Sequence, residues 1–464
     1  MAWAPHRRRV ATVLRVSKQG WRGQLQAVTW TLTALALVLT AGCTGSQPSE
    51  EPDSSEVPTQ VSLRVVPAQS RLVDPVSVTV TGLEPRRLHT VTLTSVDGDG
   101  VRWTSSAQFR SSTDGTLMLD DARALEGSYQ GVNGMGLLET LQQEDVSTEP
   151  AYYFWTGSPQ EFRIEVLADD KLVAQTEFLR QLGPGVRRTE QSVTKEGFDG
   201  AFYRHSDRGA SKSRPAILAF GGSEGGNSME LPGTALAAEG YPTLTVAYFG
   251  KPGLPKSLRN IPLEYFATAL RWLRKQPGVD PSRIYVLGVS RGSEPAQLVA
   301  VRYPRLVHGV VAVVPSGVVH AGLRGAGSSS RAARESAWSF QGRPVPWTRT
   351  VNDPRPDEFP RSVIPVQDID GPMLLVCGGA DQVWDSCAFA RAIVSRREQH
   401  GVHRRSLLLA YPQAGHGIGS LVPYDPEPIY GPLAGALALS NQRARARLWG
   451  QLTAFLRTTS GAGE

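Results

Sequence analysis

Beyond its N-terminal segment the chain lacks any basic run interleaved with aromatic residues, the footprint that nucleic-acid binding leaves in a sequence. Its formal net charge of +6 is scattered singly, with part of the excess in Arg7, Arg8, Arg9, Arg15, Lys18 and Arg22. Nucleic acid is therefore excluded as a partner. No internal repeat is present, which excludes a repeat architecture. The apolar run Thr31–Leu39 is too short for a membrane span. Cysteine is scarce: Cys43, Cys377 and Cys387 are the only three, so at most one disulfide can form within the chain. What remains is ordinary for a globular protein, 40% hydrophobic and 20% charged. At 464 residues the chain has room for two or three domains, one with a substantial core.

The N-terminus has its own logic. A basic stretch leads into Thr31–Leu39, which ends at Thr40-Ala41-Gly42-Cys43, so residues 1–42 read as a signal peptide with Thr31–Leu39 as its apolar region. Small residues followed at once by cysteine are similar to the bacterial lipobox, which would make Cys43 the lipidated first residue of the mature protein. Thr40 stands where that pattern usually has Leu, Val or Ile; an ordinary secretory signal or an uncleaved anchor is the alternative. Residues 43–60 are Ser-, Pro- and Glu-rich and nearly free of large apolar side chains, a composition that cannot bury enough surface to fold. They predict a tether, and the chain is expected to be exported and held at the outer face of the cell membrane by lipid, or secreted if the lipobox is not used. In an oxidising compartment Cys377 and Cys387 could form a disulfide; two buried free thiols are the alternative.

Two patterns divide the rest. Over 61–182, short segments such as VSVTVTGL, HTVTLTSV and EFRIEVLAD alternate or concentrate β-branched residues, punctuated by Asp97-Gly98-Asp99-Gly100 and Asp114-Gly115. They predict an all-β sandwich of immunoglobulin-like architecture. Over 190–460, continuous apolar runs (ILAFGG, TLTVAYF, RIYVLGV, GVVAVVP, MLLVCGG, SLLLAYP) alternate with amphipathic stretches. That is the signature of a parallel sheet buried on both faces. Helices are expected at Pro262–Lys275, Glu294–Arg302, Phe389–Gln399 and Gln442–Arg457, the last with Leu448, Leu452 and Phe455 on one face.

The chemistry lies in this second region. Gly288-Val289-Ser290-Arg291-Gly292 follows an apolar strand and precedes a helical stretch, the context of the nucleophile elbow of an α/β-hydrolase. The glycines let the backbone turn tightly, lifting the Ser290 hydroxyl above the sheet and aiming the Arg291 N–H at a developing oxyanion. A serine nucleophile needs a base, and the base an orienting carboxylate, in the chain order Ser, acid, His. His416, in the glycine-flanked loop YPQAGHGIG, is the expected base in preference to His403, which sits among arginines. Asp381, after the strand Met373–Cys377, is the expected acid; its competitor Asp385 stands at the start of the next helix, where an acid serves as a cap. A second oxyanion donor is expected from Phe220-Gly221-Gly222-Ser223-Glu224-Gly225-Gly226, through the N–H of Gly222 or Ser223. A phosphate-binding role for that loop is disfavoured, since the Walker lysine and the Rossmann spacing are both missing. No metal or organic cofactor is implied.

Residues carried in this order resemble the acyl-CoA thioesterases related to bile acid-CoA:amino acid N-acyltransferase. The similar stretches are VTVTGLEPRRLHTVTLTS, SSAQFRS and GSYQGVNGMGLLETL in the first region. In the second they are LAFGGSEGG, VAYFGKPGLPKSLRNIPLEYFATALRWL, LGVSRGSE, SVIPVQDIDGPMLLVCGGADQVWDS and YPQAGHGIG. The resemblance covers nearly everything after the tether. It implies an α/β-hydrolase catalytic domain preceded by an immunoglobulin-like domain, with Ser290 as nucleophile of the G-x-S-x-G-x-E pattern, Asp381 as acid and His416 as base. The conjugating branch of that family carries cysteine at the nucleophile position, so Ser290 favours hydrolysis to a free acid. Ser293 stands where relatives often have a further glycine and Gln367 where they often have glutamate, and both could alter the pocket. Relatives that hydrolyse acyl-CoA work inside cells or organelles, so the reaction carries over more securely than the substrate.

The expected function is a membrane-tethered serine hydrolase acting on an acyl thioester or lipophilic ester. An acyltransferase acting on a cell-envelope acceptor and a non-catalytic surface-binding lipoprotein are the alternatives. The segment Ala321–Arg361, rich in Ser, Pro and Arg and carrying tryptophan and phenylalanine, is expected either to cover the acyl pocket as a lid or to form a solvated insertion.

Overall fold

The computed structural model describes residues 60–459 apart from 145–151, 207–212, 325–331, 403 and 427–431. The expected signal peptide, Cys43, His403 and all but the last residue of the tether lie outside the described residues. Among the described residues no helix is long and apolar enough to cross a membrane.

The first described region is all-β because its apolar residues recur at every second position. In Leu88–Val96 and Arg102–Arg110, each strand buries alternate side chains and exposes the others at least partly. Val91 and Leu93 of one strand and Trp103, Ala107 and Phe109 of the other face inward. A one-residue slip would turn all of them to solvent, so the register Thr92↔Ser106 is strongly specified. One sheet runs in the order Gln142–Gln143, Arg102–Arg110, Leu88–Val96, Gln160–Ala168, Lys171–Gln181, Gln69–Arg71. A second contains Ser62–Val66, Ser77–Thr81 and Leu117–Met118. Between the strands, the stretch GSYQGVNGMGLLETL contains a single helical turn, Gly136–Glu139.

The second region is built on an eight-stranded sheet. Its order is Val186–Gln191, Asp199–His205, Thr243–Ala247, Arg214–Phe220, Val279–Val289, Gly309–Val313, Met373–Gly378, Ser406–Tyr411. The first two strands join antiparallel and the remaining six run parallel. This is an α/β-hydrolase sheet. It begins at Val186, four residues before the expected start at 190, because the exposed edge strand VRRTEQ carries almost no apolar signal. The closing helix also exceeds its expected span, running from Pro432 to Thr459. Leu448, Leu452 and Phe455 are all but inaccessible to solvent.

Two cores sandwich the sheet. One contains Leu218, Val286, Ala312 and Leu375 together with Phe266, Leu270 and Ile393 from the helices. The other contains Ile217, Leu287, Val311 and Val376, continues through the closing helix, and runs unbroken into the first region. Polar ties reinforce that junction: Trp155 Nε1 donates to Asp425 Oδ1 at 2.7 Å, and Arg71 pairs with Glu239 at 3.0 Å. The two expected domains therefore share one core.

Within Ala321–Arg361 the described residues include a buried anchor. The segment forms short strands, Ala321–Leu323 against Ala332–Ser336 and Trp338–Phe340 against Ile261–Pro262. Trp338 is fully buried at its centre. The alternating Ser and Arg conceal this anchor in the sequence.

Candidate active site

Ser290 ends the strand Val279–Val289 and leads through one tight turn into the helix Ser293–Arg302. Its φ of 55° is left-handed, a conformation costly for a residue with a side chain and held only by surrounding structure. The flanking glycines are steric requirements. A Cβ on Gly288 would lie 2.2 Å from the Gly292 carbonyl, and one on Gly292 would lie 2.2 Å from the Gly221 carbonyl.

The three expected side chains meet across the carboxyl ends of three strands. His416 Nε2 lies 2.9 Å from Ser290 Oγ, and His416 Nδ1 lies 3.0 and 2.9 Å from the two Asp381 oxygens. The Asp381 side chain is 1% exposed and that of His416 23%, so the carboxylate is sealed while the imidazole stays partly open to solvent. Asp381 Oδ1 also accepts the Val383 N–H at 2.9 Å. Its competitor Asp385 caps the helix Ser386–Gln399, accepting the Ala388 N–H at 2.8 Å. Cys377 and Cys387 are joined as a disulfide that closes the loop carrying Asp381.

The glycine loop lies against the nucleophile. A Cβ on Gly222 would sit 2.9 Å from Ser290 Cβ and 3.2 Å from its Oγ. The Tyr248 hydroxyl, fully buried, donates to the carbonyls of Gly221 and Gly222, and burial pushes its pKa well above the usual range. Turning those carbonyls toward Tyr248 orients the adjoining peptide groups. The Gly222 N–H is not free, however: it donates to Glu224 Oε1 at 2.8 Å, and that oxygen also accepts the Ser228 hydroxyl. Sequence reasoning missed Glu224, which reads there only as one polar residue in a glycine-rich turn. Ser223 beside it is half-buried.

Glu294, the last residue of the G-x-S-x-G-x-E pattern, has a role that sequence reasoning did not assign. It is wholly buried and accepts four donors: Arg291 Nε at 2.7 Å, Trp338 Nε1 at 2.7 Å, His320 Nδ1 at 3.1 Å and the His320 N–H at 3.2 Å. Burial alone would raise its pKa, but the Arg291 guanidinium, aided by His320 and Trp338, holds the carboxyl below its usual range. The i,i+3 spacing of Arg291 and Glu294 on one helical turn was a legible signal; His320 lies in no motif. Among the described residues no three His, Cys, Asp or Glu side chains converge as a metal-binding set.

Comparison with known proteins bears on both regions. Residues 73–192 match the model of the acyl-CoA thioester hydrolase/BAAT N-terminal region. Residues 261–456 match that of the BAAT/acyl-CoA thioester hydrolase C terminal. These matches support the acyl-CoA thioester hydrolase/BAAT family for the chain. Rat acyl-coenzyme A amino acid N-acyltransferase 2 is 28% identical, over 86% of this chain and 97% of its own length. Human mitochondrial acyl-coenzyme A thioesterase 2 is 28% identical, over 78% of this chain and 74% of its own. Among solved structures, an α/β-hydrolase from a deep-sea metagenome library (MGS-M1) aligns at 17% identity and a TM-score of 0.39, covering 60% of this chain and 98% of its own. Family and sheet together support an enzyme of the α/β-hydrolase kind.

Proposed function

We propose that this protein is a serine hydrolase that cleaves acyl thioesters, or lipophilic esters, with Ser290, His416 and Asp381 as its catalytic triad. The continuous hydrogen-bonded line from Ser290 Oγ through the imidazole to a sealed carboxylate carries this reading. Ser290 attacks the acyl carbon as His416 Nε2 takes its proton; Asp381 accepts the Nδ1 hydrogen and stabilises the imidazolium. The Arg291 N–H, with one from Gly222 or Ser223, stabilises the oxyanion. His416 then protonates the leaving thiol or alcohol. Water, deprotonated by His416 in turn, releases the acid from Ser290.

The names of relatives supply the substrate class, since both matched family models are described as acyl-CoA thioester hydrolase. The N-acyltransferase name of the rat relative favours a second reading, transfer of the acyl group to an acceptor other than water. The first domain is proposed to be immunoglobulin-like. Residues 1–42 are proposed as a lipoprotein signal, with lipid on Cys43 and 43–60 as a tether. A disulfide between Cys377 and Cys387 supports that placement, because such bonds persist in oxidising compartments.

The test is Ser290→Ala assayed on acyl-CoA and p-nitrophenyl esters of graded chain length. Loss of triad function is expected to lower kcat by about 10⁴-fold or more; retention of most activity would sink the assignment. Product analysis with and without amine or hydroxyl acceptors separates hydrolysis from transfer.

A further inference from the structure

Glu294, the buried carboxylate behind the nucleophile, does not end at Arg291. A further side-chain partner, His320, is 6% exposed and lies flat on Trp384, with ring centroids 5.4 Å apart and planes 6° from parallel. Trp384, 5% exposed, meets the His416 ring edge-on at 5.4 Å and 84°. Trp384 therefore touches two histidines, one anchored to Glu294 and the other facing Ser290. Its own indole N–H is fixed on the Val314 carbonyl at 3.2 Å, and its backbone N–H points at Asp381 Oδ1 at 3.4 Å.

Desolvating a carboxylate costs several kcal/mol, and apolar side chains often fill such sites at equal or better stability. Glu294 is satisfied by four donors, so its residual effect is geometric: it fixes where the His320 ring lies. That ring is closed on its other sides by the edge of Phe389 and by the Val351 carbonyl, 3.4 Å from Nε2. With both neighbours fixed, Trp384 has one wall behind it and the catalytic imidazole in front.

We propose that His320 and Trp384, anchored by Glu294, are positioning residues that hold the His416 ring at its hydrogen-bonding distance from Ser290. Both rings are nearly buried, at 6% and 5% exposed. The inference rests on the triad reading above. In the triad, hydrogen bonds fix the two His416 nitrogens but leave the ring free to tilt about the line joining them. The edge-on contact with Trp384 removes that tilt.

The experiment is a double-mutant cycle in the full chain, with His320→Ala, Trp384→Ala and their combination, read as kcat and KM on a short p-nitrophenyl ester. Misplacing a catalytic group by about 1 Å costs up to 10²-fold. Trp384→Ala is expected to lower kcat by about 10- to 100-fold with KM changed less than threefold, and Trp384→Phe to recover most of the loss. Because His320 acts through Trp384, His320→Ala is expected to cost about 10-fold alone and nothing further when Trp384 is already Ala. Wild-type kcat in both single variants, or fully additive losses, would overturn the proposal. If Trp384→Ala does not fold, Trp384→Leu, which keeps volume without a ring edge, completes the same cycle. An inert Ser290→Ala with wild-type kcat in the ring variants removes the positioning role alone. An active Ser290→Ala removes the triad reading and the positioning role with it.

Discussion

Opening the Cys377–Cys387 disulfide should cost stability before it costs activity. The bridge spans a sequence separation of 10, and loop-closure entropy for a ring of that size gives about 3 kcal/mol at 25 °C. Spread over the roughly 2.1 cal/mol/K per residue of unfolding entropy in a domain pair this large, that is a fall in Tm of about 3 °C. Asp381 sits inside the ring, but other contacts hold its loop. The N–H groups of Gly379 and Ala380 donate to the carbonyls of Tyr411 and Ala414, at 2.9 Å each, and Trp384 is buried. These survive reduction. Activity should therefore fall by less than about tenfold, short of the 10²-fold that a displaced catalytic group costs. Thermal melts and ester kinetics on oxidised protein, reduced protein and the Cys377→Ala/Cys387→Ala double variant measure both, with thiol titration confirming the state. An unchanged Tm in reduced protein would refute the cross-link's constraint. A loss beyond 10²-fold would refute the view that backbone bonds hold Asp381.

Gly222→Ala would place a methyl group 2.9 Å from Ser290 Cβ and 3.1 Å from Glu224 Oε2. An expected drop in kcat/KM of about 10²-fold, with a small change in Tm, is read from ester kinetics and melting together, and activity within threefold of wild type would contradict the contact. Glu294→Gln leaves Arg291 buried without its counter-charge, and breaking such a pair typically costs about 3–5 kcal/mol near neutral pH. Glu294 titrates low in the folded state, so the unfolded chain binds the extra proton. Its contribution is full above pH 4.5, its ordinary value, and fades as pH falls through the folded pKa. Denaturant melts should therefore show the gap between wild type and Glu294→Gln narrowing on acidification below pH 4.5, and a constant gap would refute the assignment.

Local chemistry was legible in the sequence where a residue's role depends on its immediate neighbours. Gly288 and Gly292 declare a turn that tolerates no side chain. Asp385, one residue ahead of a helix, announces a cap, which left Asp381 for His416. The alternation in HTVTLTSV and VRWTSSAQFR specifies strands because one face of each must be buried. What stayed hidden depends on partners distant in the chain. His320 meets Glu294 across 26 positions and Trp338 meets it across 44, and neither pairing leaves a spacing to read. The shared core was equally invisible: apolar residues announce burial but not the surface they are buried against. Ala321–Arg361 was left open for the opposite reason, since its polar composition hides the anchoring Trp338.

Glu224 changes what an oxyanion hole means in this site. The expected donor, Gly222 N–H, is aimed into a carboxylate. Ser290 Oγ and Glu224 Oε2 both lie within 3.2 Å of one point, the place a Gly222 Cβ would occupy. The two oxygens are thus no more than about 6 Å apart, and two negative charges at that spacing repel by roughly 3 kcal/mol at an effective dielectric of about 20. The oxyanion of a tetrahedral adduct on Ser290 would feel a repulsion of that order while losing the donor meant to stabilise it. Catalysis through Gly222 therefore requires the Glu224 side chain to swing away and give up that hydrogen bond. Catalysis through Ser223 leaves the Gly222 contact intact but still has to tolerate the charge. Both routes make the placement of the Glu224 side chain part of the energetics of the proposed first chemical step, although it is neither nucleophile, base nor acid of the proposed triad.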